Sequence, residues 1–255
     1  MHTDFSVANP GTPGIPLLCI HGVGSSRGAW DGVIERLPHD RPIVSYDLRG
    51  HGESGKPLGP YSIDDFIGDA LALLDELAFP TVDVVGFSLG GLIAQGLALT
   101  APQRVRRLVL IASIANRTAE ERERVMTRYT ELTEEGPVAV AERSVERWFT
   151  PEYLAEHPEA REHTIRQMAA LDPQAYSAAY LVLATTDFAS RLHEITAPTL
   201  AIAGSGDVGS PPHMSEFIAE TVADGRVVVI EGVKHNMLTV ETDRIGKEVN
   251  NHVSN

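Results

Sequence analysis

Residues 82–91, which read VDVVGFSLGG, decide the fold of this chain. The first half is a run of apolar, β-branched residues, which is typical of a strand buried on both faces. The second half opens an apolar segment, residues 89–100, that predicts a helix. Between them lies Gly-x-Ser-x-Gly, a pattern typical of a sharp strand–turn–helix with a serine at its tip. Side chains two residues before and after the serine would collide in such a turn, so the glycines at 86 and 90 suit it. Ser88 is the candidate nucleophile.

Short apolar runs alternate with helical patterns on both sides of this stretch. Continuous apolar strands alternating with helices predict an α/β fold, with a mostly parallel sheet that carries helices on both faces. The predicted helices include residues 63–78, 89–100 and a closing helix from about residue 242. The predicted strands are residues 17–21, 43–46, 82–86, 105–112, 199–203 and 227–230.

One long segment breaks this alternation. Residues 116–191 have few β-branched clusters and predict several helices. Prolines mark helix starts or breaks in it, at Pro137, Pro151, Pro158 and Pro173. We expect a helical cap here, inserted into an α/β core formed by residues 1–115 and 192–255.

Two further residues complete a candidate catalytic triad. In parallel sheets, reactive side chains collect in the loops at the carboxyl ends of the strands, and the expected chain order is Ser, acid, His. Asp207 and His235 follow the last two predicted strands in that order. His235 would be the general base, and Asp207 would orient its imidazole. Asp207 precedes two prolines, so a role as a turn former stays open.

The loop after the first predicted strand is a candidate for stabilising an oxyanion. Residues 21–24, HGVG, form a tight glycine turn, which suits the Val23 N–H as one donor, with the Leu89 N–H as the other. We expect His21 to hold this turn through side-chain hydrogen bonds. The charged stretch DLRGHGES, residues 47–54, is interpreted as a braced loop rather than a second catalytic site.

These motifs together resemble the α/β-hydrolase superfamily. Within it, the chain is most similar to 3-oxoadipate enol-lactonases and related small carboxylesterases. Two stretches, residues 147–151 (RWFTP) and 172–176 (DPQAY), resemble the caps of those lactonases. The resemblance implies a serine hydrolase that cleaves a small carboxylic ester or lactone through an acyl-enzyme, with no metal or cofactor. Such proteins usually open with two strands before the His-Gly strand, but only 16 residues precede it here, so we expect one strand to be missing.

The cap is expected to supply part of a substrate pocket. The resemblance implies that Arg147 meets a substrate carboxylate, although a solvated arginine is the alternative. For the aromatic candidates the alternative is packing within the cap. The candidate pocket residues are Ser25, Arg147, Trp148, Phe149 and Tyr176.

Composition excludes several classes of function. The chain has 255 residues and a net charge of −14, so we do not expect it to bind nucleic acid. We expect a small-molecule substrate instead. No segment suits a membrane span or a signal peptide, so we expect no membrane association and a cytoplasmic location. The lone Cys19 excludes an internal disulfide, and no structural zinc site is suggested. The sequence leaves the oligomeric state open, and a homodimer is one of the alternatives.

Two other functions stay open on the same fold. Some relatives act as perhydrolases or as cofactor-free oxygenases, and formation of peracid from peroxide and acetate would reveal the first. A ligand receptor that retains the triad is the other alternative. It would stall after one turnover and shift its cap when ligand binds.

Overall fold

The computed structural model describes residues 1–254 and contains one seven-stranded sheet. The strand order is β1-β3-β2-β4-β5-β6-β7, and every neighbouring pair is parallel except β1 with β3. The predicted mostly parallel sheet is therefore confirmed. The strands are β1 (Phe5–Ala8), β2 (Leu17–Ile20), β3 (Ile43–Tyr46), β4 (Val82–Phe87), β5 (Val105–Ile111), β6 (Thr199–Gly204) and β7 (Gly225–Ile230).

Eleven α-helices lie along the described residues. Six belong to the alternating strand–helix part of the chain, and five fall between β5 and β6. The helices are α1 (Asp31–Ile34), α2 (Ile63–Glu76), α3 (Leu89–Thr100), α4 (Ala119–Glu135), α5 (Pro137–Trp148), α6 (Pro151–Glu156), α7 (Pro158–Ala169), α8 (Pro173–Thr185), α9 (Pro212–Thr221), α10 (Met237–Val240) and α11 (Thr242–Val253). None of them is both long and apolar enough to cross a membrane, within residues 1–254.

The sheet buries a hydrophobic cluster on each face. Successive residues of a strand point to opposite faces, so Leu18 and Ile20 enter one cluster while Leu17 and Cys19 enter the other. Helices α2, α3 and α9 contribute to the first cluster, and α1, α10 and α11 to the second. Helices on both faces explain why the central strands are almost continuously apolar.

The strand that the sequence pattern did not reveal is β1. It is a four-residue edge strand, only partly buried, so its residues show neither a continuous apolar run nor a clear alternation. It pairs antiparallel with β3, with Phe5 opposite Tyr46. One strand thus precedes β2 along the described residues.

The segment between β5 and β6 is held by capped helices. Each of α5, α6, α7 and α8 starts at one of the four prolines noted above, because proline fits the first helical turn, where no N–H partner is needed. Thr118 and Asp172 cap α4 and α8 through their side chains. At the two ends of the segment, the Asp187 carboxylate accepts hydrogen bonds from the backbone N–H groups of Asn116 and Ala189.

Candidate active site

Ser88 stands on a strained turn between β4 and α3. Its φ of 55° and ψ of −114° are unusual for a residue with a side chain, and such strain is concentrated at functional sites. A Cβ at Gly86 would lie 2.2 Å from the carbonyl oxygen of Gly90, and one at Gly90 would lie 2.1 Å from that of Ile20. The backbone packs so closely here that only glycine fits two positions before and two positions after the serine.

The start of α3 presents free N–H groups beside this serine. The Ser88 N–H itself donates to the carbonyl oxygen of Ile111 at 2.9 Å, which ties the turn to β5. Leu89 is the first residue of α3, and the first N–H groups of a helix have no partner inside it. The positive end of the helix dipole therefore lies at Ser88, where it would stabilise negative charge.

Asp207 and His235 meet across the ends of β6 and β7. The His235 Nδ1 lies 2.6 Å from Oδ2 of Asp207, and because a carboxylate can only accept, the Nδ1–H donates. The neutral imidazole then carries no proton on Nε2, which suits that atom to act as a base. The Phe87 ring lies beside the imidazole, with ring centroids 5.1 Å apart.

The Asp207 carboxylate is almost completely buried and fully engaged. Its Oδ1 accepts the N–H groups of Gly209, at 2.7 Å, and Ser210, at 3.1 Å, while its Oδ2 accepts the Ser210 hydroxyl at 3.0 Å. Burial alone would raise the pKa of Asp207, but the charge and hydrogen bond of His235 and the two N–H groups outweigh it and lower the pKa to about 2. The residue shapes its turn through one oxygen and faces His235 with the other.

Two buried histidines hold the loop after β2. His21 Nε2 accepts the Leu48 N–H at 3.0 Å, and His51 Nε2 accepts the Gly24 N–H at 3.0 Å. The Asp47 carboxylate accepts the backbone N–H groups of Arg27 and Glu53. The stretch 47–54 therefore braces the loop that carries Val23.

A cavity of about 160 Å³ lies over Ser88, between the sheet and helices α4, α5, α7 and α8. Eight of the ten predicted site residues line it: Ser88, Asp207, His235, Val23, Ser25, Arg147, Trp148 and Tyr176. Leu89 does not line it and is fully buried, so only its backbone is a candidate for contact with substrate. The side chains of Met168 and Tyr176 reach the glycine turn, since a Cβ at Gly24 would lie 2.7 Å and 3.0 Å from them.

Phe149 is the predicted pocket residue that the structure does not bring to this cavity. Helix α5 ends at Trp148, and Phe149 follows in an extended conformation, with φ of −126° and ψ of 150°. Its ring is buried against Tyr153, stacked at 5.3 Å between centroids with an interplanar angle of 8°. Phe149 therefore packs within the segment between β5 and β6 and does not line this cavity, which corrects its assignment to the pocket wall.

The sequence alone does not identify several of the residues that line the cavity. Ser210 reaches both Asp207 and His235, the latter at 3.3 Å, and its only sequence signal is a polar residue in the same loop as the acid. Arg117 and Arg128 also line the cavity, but arginines in a polar helical segment give no signal of direction. Over residues 1–254, no cluster of three or more histidine, cysteine, aspartate or glutamate side chains is placed to hold a metal ion.

Comparisons with known proteins identify the family of this chain. Residues 15–242 match the family model described as the alpha/beta hydrolase fold. The chain is 31% identical over 215 residues to 3-oxoadipate enol-lactonase 2 of Acinetobacter baylyi, covering 84% of this chain and 80% of the relative. It is 32% identical over 231 residues to a pimeloyl-[acyl-carrier protein] methyl ester esterase of Neisseria meningitidis serogroup B, covering 85% and 84%.

A solved structure shows the same fold along nearly the whole chain. The enol-lactonase from Burkholderia xenovorans superposes with a TM-score of 0.93, with 24% sequence identity, and the match covers 99% of this chain and 96% of that one. The arrangement of sheet and inserted helices is therefore shared with that protein.

Proposed function

The chain belongs to the α/β-hydrolase family, and we propose that it is a serine hydrolase that cleaves a small carboxylic ester or lactone through an acyl-enzyme. The observation that carries this proposal is the placement of Ser88, on a strained turn, in one cavity with the hydrogen-bonded pair Asp207 and His235. The named activities of the relatives, an enol-lactonase and a methyl ester esterase, support the same class of substrate.

The first step is acylation of Ser88. His235 Nε2 takes the hydroxyl proton as the Ser88 Oγ attacks the substrate carbonyl, and Asp207 stabilises the resulting imidazolium. The negative charge on the carbonyl oxygen is stabilised by the N–H groups of Val23 and Leu89. Removal of one such donor typically costs about 3–4 kcal/mol of transition-state stabilisation.

Departure of the leaving group completes acylation, and a second step then releases the acid. The imidazolium of His235 gives its proton to the leaving alkoxide or enolate oxygen, so the carbon–oxygen bond breaks and the acyl group stays on Ser88. His235 then removes a proton from water, whose oxygen attacks the acyl-enzyme through a second oxyanion. As this intermediate collapses, the bond between Ser88 Oγ and the acyl carbon breaks, the imidazolium returns the proton to Oγ, and the acid leaves. For a lactone, both halves of the product are one molecule, which leaves after this step.

Residues 116–191 act as the cap in this proposal. Their helices supply Trp148, Met168 and Tyr176 to the cavity, opposite the triad. A wall of this kind excludes bulk water and sets the shape of the acyl pocket, so it selects the substrate.

Steady-state hydrolysis of short p-nitrophenyl esters tests the function directly. The wild-type protein should turn over p-nitrophenyl acetate or butyrate, and Ser88→Ala should fall to near the uncatalysed rate. Ser6→Ala, a substitution at an exposed serine of β1, is the matched control and should keep full activity. Equal rates in wild type and Ser88→Ala would reject Ser88 as the nucleophile.

Trapping of the acyl-enzyme separates the hydrolase from its alternatives. Rapid mixing with the ester and analysis of intact mass should show one acyl adduct, lost in Ser88→Ala, followed by many turnovers. A receptor would instead hold the adduct after a single turnover. A perhydrolase would form peracid faster than acid when peroxide is present.

A further inference from the structure

Two hydrogen bonds join the end of helix α5 to the loop that carries His235. The backbone N–H of Asn236 donates to the carbonyl oxygen of Trp148 at 3.0 Å. The ammonium group of Lys234 donates to the carbonyl oxygen of Glu146, two residues earlier in the helix. The residues directly before and after the candidate base are therefore both bound to the last turn of α5.

The acceptors are carbonyl groups at the C-terminal end of a helix. Helix α5 ends at Trp148, and the last carbonyl groups of a helix have no partner inside it. This end of a helix carries partial negative charge, which attracts an ammonium group. The Glu146 carboxylate pairs with Arg161 at 3.2 Å, so Lys234 binds the main chain of Glu146 while the acid is held elsewhere. The contact made by Lys234 therefore depends on the position of the helix end.

The stem of the Lys234 side chain lies against the loop of the catalytic acid. This side chain is half-buried, and a Cβ at Gly206 would lie 3.3 Å from its Cγ. Gly206 directly precedes Asp207, and its N–H donates to the carbonyl oxygen of Val233 at 2.9 Å. One lysine thus starts beside His235, passes along the acid loop and ends on α5.

The position of His235 depends on contacts of this kind. Its Nδ1 is fixed by Asp207, but its main chain lies in the loop of residues 231–236, between β7 and α10. In the proposed reaction, Nε2 must reach the Ser88 hydroxyl and then the leaving oxygen. A displacement of an ångström at a reacting group costs up to roughly a hundredfold in rate, so the anchoring of this loop bears directly on catalysis.

We propose that Lys234 is a positioning residue for the general base, which holds the loops of His235 and Asp207 against the end of α5. This inference rests on the proposed hydrolase function. The base is then aligned with Ser88 only while the end of α5 lies on these loops. Trp148 supplies both a wall of the cavity and a carbonyl group that binds the base loop, so closure of the proposed cap and alignment of the base are coupled.

Substitution of Lys234 tests the proposal. Lys234→Met removes the ammonium group and keeps the apolar stem. The kcat for p-nitrophenyl acetate should fall by roughly tenfold with little change in KM, because Lys234 does not line the cavity. Lys234→Arg keeps a charged donor and should recover most of the loss. Lys247→Met, at an exposed lysine of α11, is the matched control and should keep the wild-type rate.

A second ester distinguishes loss of alignment from loss of folded protein. Phenyl acetate has the same acyl group as p-nitrophenyl acetate, but its phenolate is a poorer leaving group and depends more on a proton from His235. In Lys234→Met, kcat/KM for phenyl acetate should therefore fall roughly threefold or more beyond the fall for p-nitrophenyl acetate. Both values come from one preparation, so their ratio is independent of the fraction that is folded.

The outcomes separate this proposal from the proposed function. If Lys234→Met keeps wild-type rates, loses both activities by the same factor or changes only KM, the positioning role is rejected while the serine hydrolase stands. If the wild-type protein hydrolyses neither ester faster than Ser88→Ala, the hydrolase function itself fails, and the positioning role fails with it.

Discussion

The Nε2 atom of His51 accepts a hydrogen bond of 3.0 Å from the backbone N–H of Gly24. Gly24 directly follows Val23, whose N–H is the proposed second oxyanion donor. Both partners are buried, and the side chains of Met168 and Tyr176 pack against Gly24, so the turn has little freedom to rearrange. The histidine of the 47–54 loop thus sets the position of a group that it does not touch.

Removal of the His51 ring should therefore lower catalysis. His51→Ala leaves the Gly24 N–H without its acceptor, so the turn can shift, and a displacement of an ångström at a reacting group costs up to roughly a hundredfold in rate. We expect the loss in kcat for ester hydrolysis rather than in KM. His39→Ala, at an exposed histidine, is the control. A normal kcat in a less stable His51→Ala protein would show that the ring only supports the fold.

The buried histidine pair should also make stability depend on pH. Burial lowers the pKa of His21 to about 3, helped by repulsion from His51, and burial lowers that of His51 to about 4, from an ordinary 6.5. Between about pH 6.5 and pH 4 the unfolded chain binds protons that the folded protein does not. The free energy of unfolding should therefore fall with falling pH, by about 1.4 kcal/mol per histidine per pH unit.

Urea unfolding at pH 7.5 and pH 5.0 measures this effect. His51→Gln has no titrating ring, and its side-chain oxygen can still accept the Gly24 N–H. The difference in unfolding free energy between the two pH values should be smaller in this variant than in wild type, by roughly 1–2 kcal/mol. An equal pH dependence in the two proteins would mean that His51 is protonated normally in the fold.

Asp207→Asn should inactivate the protein without unfolding it. Oδ1 of Asp207 accepts two N–H groups, so the amide oxygen of the substituted side chain would take that position and its NH₂ would face His235. The amide donates to Nδ1, which leaves the ring proton on Nε2, and the base can no longer accept the Ser88 proton. A loss in kcat of about ten-thousandfold is expected, as for this change in other triads. Asp224→Asn, at an exposed aspartate, should have no effect.

Ser210 should act as a positioning residue. Its hydroxyl donates to Oδ2 of Asp207, the same oxygen that accepts from His235, so it fixes the carboxylate that orients the imidazole. Ser210→Ala should lower kcat roughly tenfold with little change in KM, because the hydrogen bond that is lost is made to the charged Asp207 and not to the substrate. Ser210→Thr keeps the hydroxyl and should recover most of the loss. A rise in KM alone would place Ser210 in substrate binding instead.

The fold, and the placement of Asp207 and His235 in one cavity with Ser88, were accessible from the sequence because strand-end loops are recognisable locally. A run of apolar residues, a glycine turn and a helix start lie within residues 82–91, and the rule that parallel strands end at one edge brings Asp207 and His235 to the same place. Strand β1 was not predicted, because a short, half-exposed edge strand shows neither a continuous apolar run nor a regular alternation of apolar and polar residues.

The direction in which side chains point in the segment between β5 and β6 was not accessible in the same way. Arg128 and Arg143 are both arginines on polar helices, yet one faces the cavity and the other pairs with Glu135 on the surface. Phe149 directly follows Trp148, the last residue of α5. Because the helix ends there, the Phe149 ring stacks on Tyr153 and does not line the cavity as Trp148 does. These differences depend on how the helices pack against the sheet, which no local pattern encodes.

The same substitution at two helical glycines should have opposite effects. Gly68 lies exposed in the middle of α2, with no neighbouring atom within 4 Å of a built Cβ, so Gly68→Ala should raise the free energy of unfolding by about 0.5–1 kcal/mol. At Gly90 the Cβ would lie 2.1 Å from the backbone oxygen of Ile20, in the central sheet, where nothing can move aside. Gly90→Ala should therefore unfold at much lower urea than wild type, or fail to accumulate as folded protein. A Gly90→Ala protein as stable as Gly68→Ala would show that α3 does not pack this closely on β2, and the strained geometry assigned to Ser88 would have to be revised.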